Sequence, residues 1–199
     1  MANLTDPPVR RKLPETFLMT DDVRHPDPAP AIACLPAGSA VIFRHYGTTD
    51  RERLAQTLAR LCRSRDILFL VAADARLART VNADGLHLPE TLAFSGPQTW
   101  RLWRKSNWLV TAAAHSPAAL ERAGRAGADA ALLSPVFPTQ SHPGAPPIGP
   151  LRFAAWTRLS PVPVYALGGI IPAVRWRRLH NSGARGWASI GSFSPSEAK

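Results

Sequence analysis

Apolar residues in this chain come in short, regularly spaced runs. They are "TFLMT" (16–20), "AVIFR" (40–44), "ILFLVA" (67–72), "GLHL" (85–88), "WLVTAAA" (108–114), "DAALLS" (129–134), "VPVYALGG" (162–169) and "GWASIG" (186–191). The best of them lack polar alternation, the pattern of parallel strands covered on both faces. Eight strands are expected. Between them the spacing becomes helical. Leu54, Leu58 and Leu61 fall at i, i+4 and i+7 behind a candidate N-cap at Asp50. Ser116 and Pro117 put a capping hydroxyl before a proline at the first helical position, with Leu120 as an inward anchor.

Small-residue turns recur before strands four, six and eight, in "NADGLHL", "GADAALLS" and "GARGWASI". Strands alternating with helices every 20 to 30 residues or so, roughly one βαβ step each, predict an α/β fold. Eight such steps make a small (β/α)8 TIM barrel, with an open doubly wound sheet as the alternative. The connections "HPDPAPAIACLPAGS" and "PETLAFSGPQTWRLWRKSN" are thin for a helix, so the first and fourth helices are expected to be short or irregular. The barrel is expected as one domain over residues 15–194, with a flexible basic tail at 1–14 and a C-terminal tail at 195–199.

With 199 residues, 45% of them hydrophobic and 19% charged, the chain can build one sizeable core. The net charge of +10 favours anionic ligands in principle. The arginines, however, are scattered, as at Arg51, Arg53, Arg60, Arg63, Arg65, Arg175, Arg177 and Arg178, in the manner of solvated helix faces. The aromatics form no stacking surface, so no nucleic-acid partner is expected. The opening stretch lacks a secretory apolar segment and no run reaches membrane-spanning length, so a soluble, cytoplasmic protein without membrane contact is expected. Cys34 and Cys62 lie in apolar segments without zinc or disulfide spacing and read as reduced core residues.

In a barrel of this kind, chemistry belongs at the C-terminal ends of the strands. His115 follows strand five just before a helix start, where its imidazole serves either as a general acid and base or as a hydrogen-bonded rim group. His87, between Leu86 and Leu88, reads as a core histidine ahead of a catalytic one. Arg44 is a cation at the end of an apolar strand, and burial without a partner would be costly. It must meet an acid such as Asp21 or Asp74, or an anionic ligand. Gly168 and Gly169 after strand seven, with Ser189 and Gly191 after strand eight, offer backbone N–H groups at the place where barrels frequently hold phosphate.

The run "GADAALLSPVFPTQSHPGAPPIG", then "VPVYALGGI" and "GARGWAS", resembles the thiamine phosphate synthase and thiazole tautomerase superfamily of (β/α)8 barrels. "LMTDD", "FRHYG", "ADGLHLPE" and "AAAHS" fall in the same order, so the resemblance covers the chain from residue 16 onward. It implies that Thr139, Ser141 and His142 in the loop after strand six, together with Arg44, contact a phosphate-bearing substrate. His142 stands where the synthase has a lysine that meets pyrophosphate. Ala72 and Ala73 stand where it has an Asn-Asp pair, and only Glu90 lies near its second magnesium-binding aspartate. The synthase joins hydroxymethylpyrimidine pyrophosphate to a thiazole phosphate with the help of Mg2+; the tautomerases move a proton on a thiazole phosphate carboxylate, with a histidine at the position of His115. The main expectation is tautomerase-like proton transfer by His115, with no cofactor or metal. The alternatives are synthase activity, with Mg2+, or a barrel that binds the phosphate without turnover. A homodimer is possible in each case.

Overall fold

In a computed structural model the chain closes eight parallel strands into a barrel in sequential order, each paired with the next and β1 with β8. The structure describes residues 12–94, 99–139, 144, 146–171 and 174–190. The strands are β1 (Thr16–Met19), β2 (Ala40–Phe43), β3 (Leu68–Ala72), β4 (Gly85–Leu88), β5 (Leu109–Ala114), β6 (Ala130–Leu133), β7 (Val164–Leu167) and β8 (Gly186–Ser189). Each lies inside one of the eight apolar runs. The closed order excludes the open sheet.

The helices are α1 (Ala29–Ala33), α2 (Arg51–Ser64), α3 (Ala75–Thr80), α4 (Glu90–Phe94), α5 (Pro117–Arg125) and α6 (Pro150–Leu159). As expected, the first and fourth are short, with five residues each, and a 3-10 turn at Thr99–Leu102 continues the fourth connection. The β7–β8 connection also holds a 3-10 turn, Trp176–Leu179, in place of a helix. Its segment "RWRRLHNSG" has no apolar stripe to bury along a longer helix. Ser116 caps α5 as expected, its hydroxyl accepting from Ala119 N–H, and Leu120 is buried. Asp50 occupies the N-cap position of α2 without a side-chain capping bond; its carboxylate lies 3.9 Å from Arg53 instead.

Strand alternation divides the core in two. Phe17, Met19, Ile42, Leu70, Leu132 and Tyr165 fill the barrel, while Leu18, Val41, Phe43, Val71, Val110 and Leu133 face the helices. Phe17 and Tyr165 meet edge to face at 4.8 Å, and the Tyr165 hydroxyl donates to the Pro14 carbonyl at the N-terminal end of the barrel. Arg185 donates to the Leu13 carbonyl there, so Leu13 and Pro14, within the stretch expected to be tail, are held by hydrogen bonds. Cys62 is buried and its thiol pushed up to about 12, by burial first and then by Asp84. Cys34, expected in the core, is exposed: it ends the short α1, where too few turns exist to cover it. Among the described residues no helix is long and apolar enough to cross a membrane.

Just past β3, Ala73 adopts a left-handed conformation, φ 66°, pinned by its N–H donating to the His87 carbonyl at 3.0 Å. A Cβ in this region costs roughly 1–2 kcal/mol, part of which glycine would return through its unfolded-state entropy. Ala73→Gly should therefore stabilise the protein by about 0.5–1 kcal/mol in urea denaturation, whereas a β-branched residue there should destabilise it.

Candidate active site

The described polar groups among those picked out along the sequence lie at the C-terminal ends of the strands. Arg44 follows β2 in the inward phase of Ala40 and Ile42, and its backbone N–H donates to the Thr20 hydroxyl oxygen at 2.9 Å. Neither acid foreseen as its partner is available. Asp21 accepts from the Arg24 guanidinium at 2.9 Å and from the backbone N–H groups of Val23 and Arg24. Burial pushes the Asp21 carboxyl up, but these hydrogen bonds outweigh it and hold it below its ordinary value. Asp74 accepts from Leu77 N–H as the cap of α3 and from Arg51 at 3.1 Å. Arg44 thus makes no ion pair among the described residues; it touches the Tyr46 phenol and lies near enough to His87 to bias its charge.

Arg51 is the residue that sequence reasoning misjudged. Expected on a solvated face, it spans the β2–β3 edge of the mouth. Nε donates to the His45 carbonyl at 2.9 Å, Nη2 to the Ala72 carbonyl at 3.0 Å and Nη1 to Asp74. Its guanidinium also lies 5.5 Å over the Phe43 ring and 5.6 Å over that of Tyr46. His45 beside it is buried and structural. The Pro26 carbonyl can only accept, so Nε2–H donates to it, and Nδ1 is left to accept from the Thr20 hydroxyl at 2.9 Å.

Two further histidines mark β4 and β5. His87 is 3% exposed, with Nδ1 2.9 Å from the Thr111 hydroxyl. Burial first, and Arg44 second, lower its pKa to about 3, which makes it the core histidine foreseen and a neutral one. His115 is half exposed. Its Nδ1 lies 2.9 Å from the Ser134 carbonyl, to which Nδ1–H donates, and 3.2 Å from the Ser134 hydroxyl. Nε2 lies 3.8 Å from one oxygen of Glu90, whose other oxygen accepts from Arg122 at 2.9 Å. The ends of β5 and β6 and the helices α4 and α5 build this cluster, and no local spacing announces it.

The loop after β6 is laid along the end of β7. Val136 N–H donates to the Leu167 carbonyl at 2.9 Å and Phe137 N–H to that of Gly168 at 3.1 Å. Arg175 clamps the junction, donating to the Gly169 carbonyl at 2.8 Å with its guanidinium over the Phe137 ring. Gly168 and Gly169 are required by this contact. Both have left-handed φ, 92° and 64°, and a Cβ would lie 2.8 Å from Pro135 Cα at Gly168 and 2.5 Å from the Pro138 carbonyl oxygen at Gly169. Their N–H groups make no hydrogen bond to a described residue. Thr139 is half-buried in the same loop and Ser189 is buried at the end of β8. Ser141, His142 and Gly191 lie outside the described residues.

Magnesium, implied by the resemblance, does not fit the described carboxylates. Asp21, Asp74 and Glu90 are each held by a guanidinium, and Asp22 accepts from Gly47 N–H. Among the described residues no three acids, histidines or cysteines gather into a ligand cluster, whereas magnesium demands several hard oxygens in near-octahedral array.

Fold and mouth together define a small (β/α)8 barrel with its polar groups gathered where such barrels do their chemistry. The chain belongs to the thiamine monophosphate synthase family, whose model matches residues 20–193. Among curated proteins, the Aquifex aeolicus protein named "Putative thiamine-phosphate synthase 2" is 36% identical over 158 residues, 77% of this chain and 81% of that one. The thiamine-phosphate synthase of Synechococcus sp. (strain WH7803) is 34% identical over 169 residues, 83% of this chain; it is longer, and the match spans 47% of it. Among solved structures, thiamine phosphate pyrophosphorylase from Pyrococcus furiosus superposes with a TM-score of 0.73 at 26% identity, covering 88% of this chain and 85% of that one. These relatives favour the synthase expectation over the tautomerase one.

The neutral His87 makes stability depend on pH. Its folded pKa of about 3 lies below the ordinary 6.5, so between these values the unfolded state binds the extra proton and stability falls as pH falls. Urea denaturation at pH 5 should give a stability about 2 kcal/mol below that at pH 7 from this group, and His87→Gln should remove that part of the slope.

Proposed function

We propose that the chain is an enzyme of thiamine biosynthesis that binds a thiazole phosphate at the barrel mouth and couples it to hydroxymethylpyrimidine pyrophosphate, releasing pyrophosphate. The observation that carries this reading is Arg44, a guanidinium at the mouth without an acidic partner among the described residues. A fixed cation in a partly desolvated site stabilises the charge that develops on a departing pyrophosphate. Gly168 and Gly169, with N–H groups not used by described neighbours, suit the phosphate ester of the other substrate, alongside Ser189 and Gly191. Thr139, Ser141 and His142 follow β6 in the sequence, and their hydroxyls and imidazole are of the chemistry that can meet an anion.

A second reading, the tautomerase-like proton transfer, is favoured by the geometry of His115. With Nδ1–H committed to the Ser134 carbonyl, the neutral ring carries its lone pair on Nε2, and Glu90 stands ready to balance the imidazolium that forms when that nitrogen takes a proton.

One set of assays separates the readings. Purified protein with both coupling substrates, with and without Mg2+, should form thiamine phosphate, and Arg44→Ala should lower kcat/KM by about 10²-fold or more. Should no coupling occur while a thiazole carboxylate phosphate isomerises by NMR, with His115→Ala slowing it by about 10²–10⁴-fold, the tautomerase reading stands. Thermal stabilisation by thiazole phosphate without either turnover would leave a binding barrel; no turnover and no stabilisation would remove all three.

A further inference from the structure

His87 has one nitrogen to spare. Its neighbours Leu86 and Leu88 face the helices, so strand alternation turns its imidazole into the barrel. Nδ1 lies 2.9 Å from the Thr111 hydroxyl, which is wholly buried and has no other partner among the described residues. The hydroxyl hydrogen therefore goes to Nδ1, because enclosing it without an acceptor would be costly. Nε2 then carries the ring hydrogen and is a donor. It meets no acceptor among the described residues. The fully enclosed side-chain atoms left without a partner there are the Trp100 and Trp108 indole nitrogens and the Thr157 hydroxyl. Nε2 is not one of them, so the 3% of His87 that is exposed includes this N–H. The row below, Leu70, Gly85 and Leu109, is buried, so the ring reaches solvent upward, at the mouth.

The strand registers give the donor its neighbours. Phe43 pairs with Val71, Ala72 with His87 and His87 with Thr111, so Ala72 stands between Arg44 and His87. Adjacent strands lie about 4.8 Å apart, which sets the backbones on either side of Ala72 roughly 10 Å from each other. A methyl group does not fill that gap. The result is a slot floored by Ala72, with Arg44 on one side and the His87 N–H on the other. Burial first, and Arg44 second, hold the imidazole uncharged. Arg44 already answers for an anion; His87 adds a donor without charge, and the occupant that uses both is a flat ring with a bare nitrogen and a charged arm.

We infer that this slot takes the pyrimidine ring of the coupling substrate, with His87 Nε2–H donating to a ring nitrogen while the pyrophosphate arm extends toward Arg44. The inference rests on the coupling reading given above. It makes His87 a specificity residue, because a ring with C–H in place of that nitrogen would leave a buried donor unpaired. Thr111 does not touch the ring; it decides which nitrogen of His87 bears the hydrogen and is a positioning residue.

The test is proton–nitrogen NMR of the imidazoles in the nitrogen-15-labelled full chain at pH 7, with His87 assigned by the loss of its signals in His87→Gln. The free protein should show His87 as the neutral Nε2–H tautomer, and Thr111→Val should release that preference. Hydroxymethylpyrimidine, the ring without its charged arm, should shift the Nε2–H signal saturably. By calorimetry, His87→Leu should bind it about tenfold more weakly, and His87→Gln, which keeps an N–H at similar reach, should recover most of the loss. An Nδ1–H tautomer or a charged ring, an Nε2–H signal indifferent to hydroxymethylpyrimidine, or an affinity unchanged in His87→Leu would overturn the inference, even in a protein that couples the two substrates. So would a signal that answers to inorganic pyrophosphate instead, which would assign the donor to the anion. Ring binding through His87 without coupling would uphold the slot and remove the coupling reading.

Discussion

Parallel strands that end at a barrel mouth leave carbonyl groups beyond the reach of the ladder, and at the β2–β3 edge the Arg51 guanidinium satisfies two of them while pairing with Asp74. Much of the mouth follows from that one side chain. By drawing Asp74 onto the start of α3, it takes that carboxylate away from the opening. By lying over Phe43 and Tyr46, it fixes the end of β2, from which Arg44 projects. An arginine rather than a lysine suits the place, because a planar fork can meet three acceptors at set angles. The outcome is a pair of cations with different surroundings: Arg51 is spent on architecture, and Arg44 makes no ion pair among the described residues.

The opposite side of the mouth is built from backbone. The loop leaving β6 donates two N–H groups to the end of β7 and so continues the sheet beyond the strands, with Arg175 closing the junction. Close approach is possible only because Gly168 and Gly169 carry no Cβ. The glycines that suggested a phosphate site are thus first required by packing. The two roles are compatible, since the packing uses their carbonyls and leaves their N–H groups. His115 is set by the same loop, through the Ser134 carbonyl, so β5, β6 and β7 form one connected wall.

The barrel was legible because its best strands are continuous apolar runs, the pattern of strands covered on both faces, and small-residue turns precede three of the eight. The mouth was legible by position, since the ends of strands can be counted. What escaped were interactions made by shape. Arg51 at the start of a helix has the same local sequence whether it points to water or folds back over two strand ends. Glu90 comes from the β4–β5 connection and His115 and Arg122 from the β5–β6 connection, and no local pattern links them. Cys34 looked internal because its neighbours are apolar, yet a helix of five residues cannot turn every face inward. The β7–β8 connection has the length of a helix but lacks the apolar stripe that would make one worth forming.

Every carboxylate side chain of the protein except Glu197 precedes Ala130, while six arginines lie between Ala130 and Ile190. Charge is therefore divided around the circumference of the barrel: the β1–β5 arc is mixed and the β6–β8 arc is positive only. The molecule has a dipole across its diameter as well as a net charge. The arc that carries Gly168, Gly169 and Ser189 offers an approaching anion no acidic side chain between Ala130 and Ile190. That bias acts over about a Debye length, some 10 Å at moderate salt, before any hydrogen bond forms.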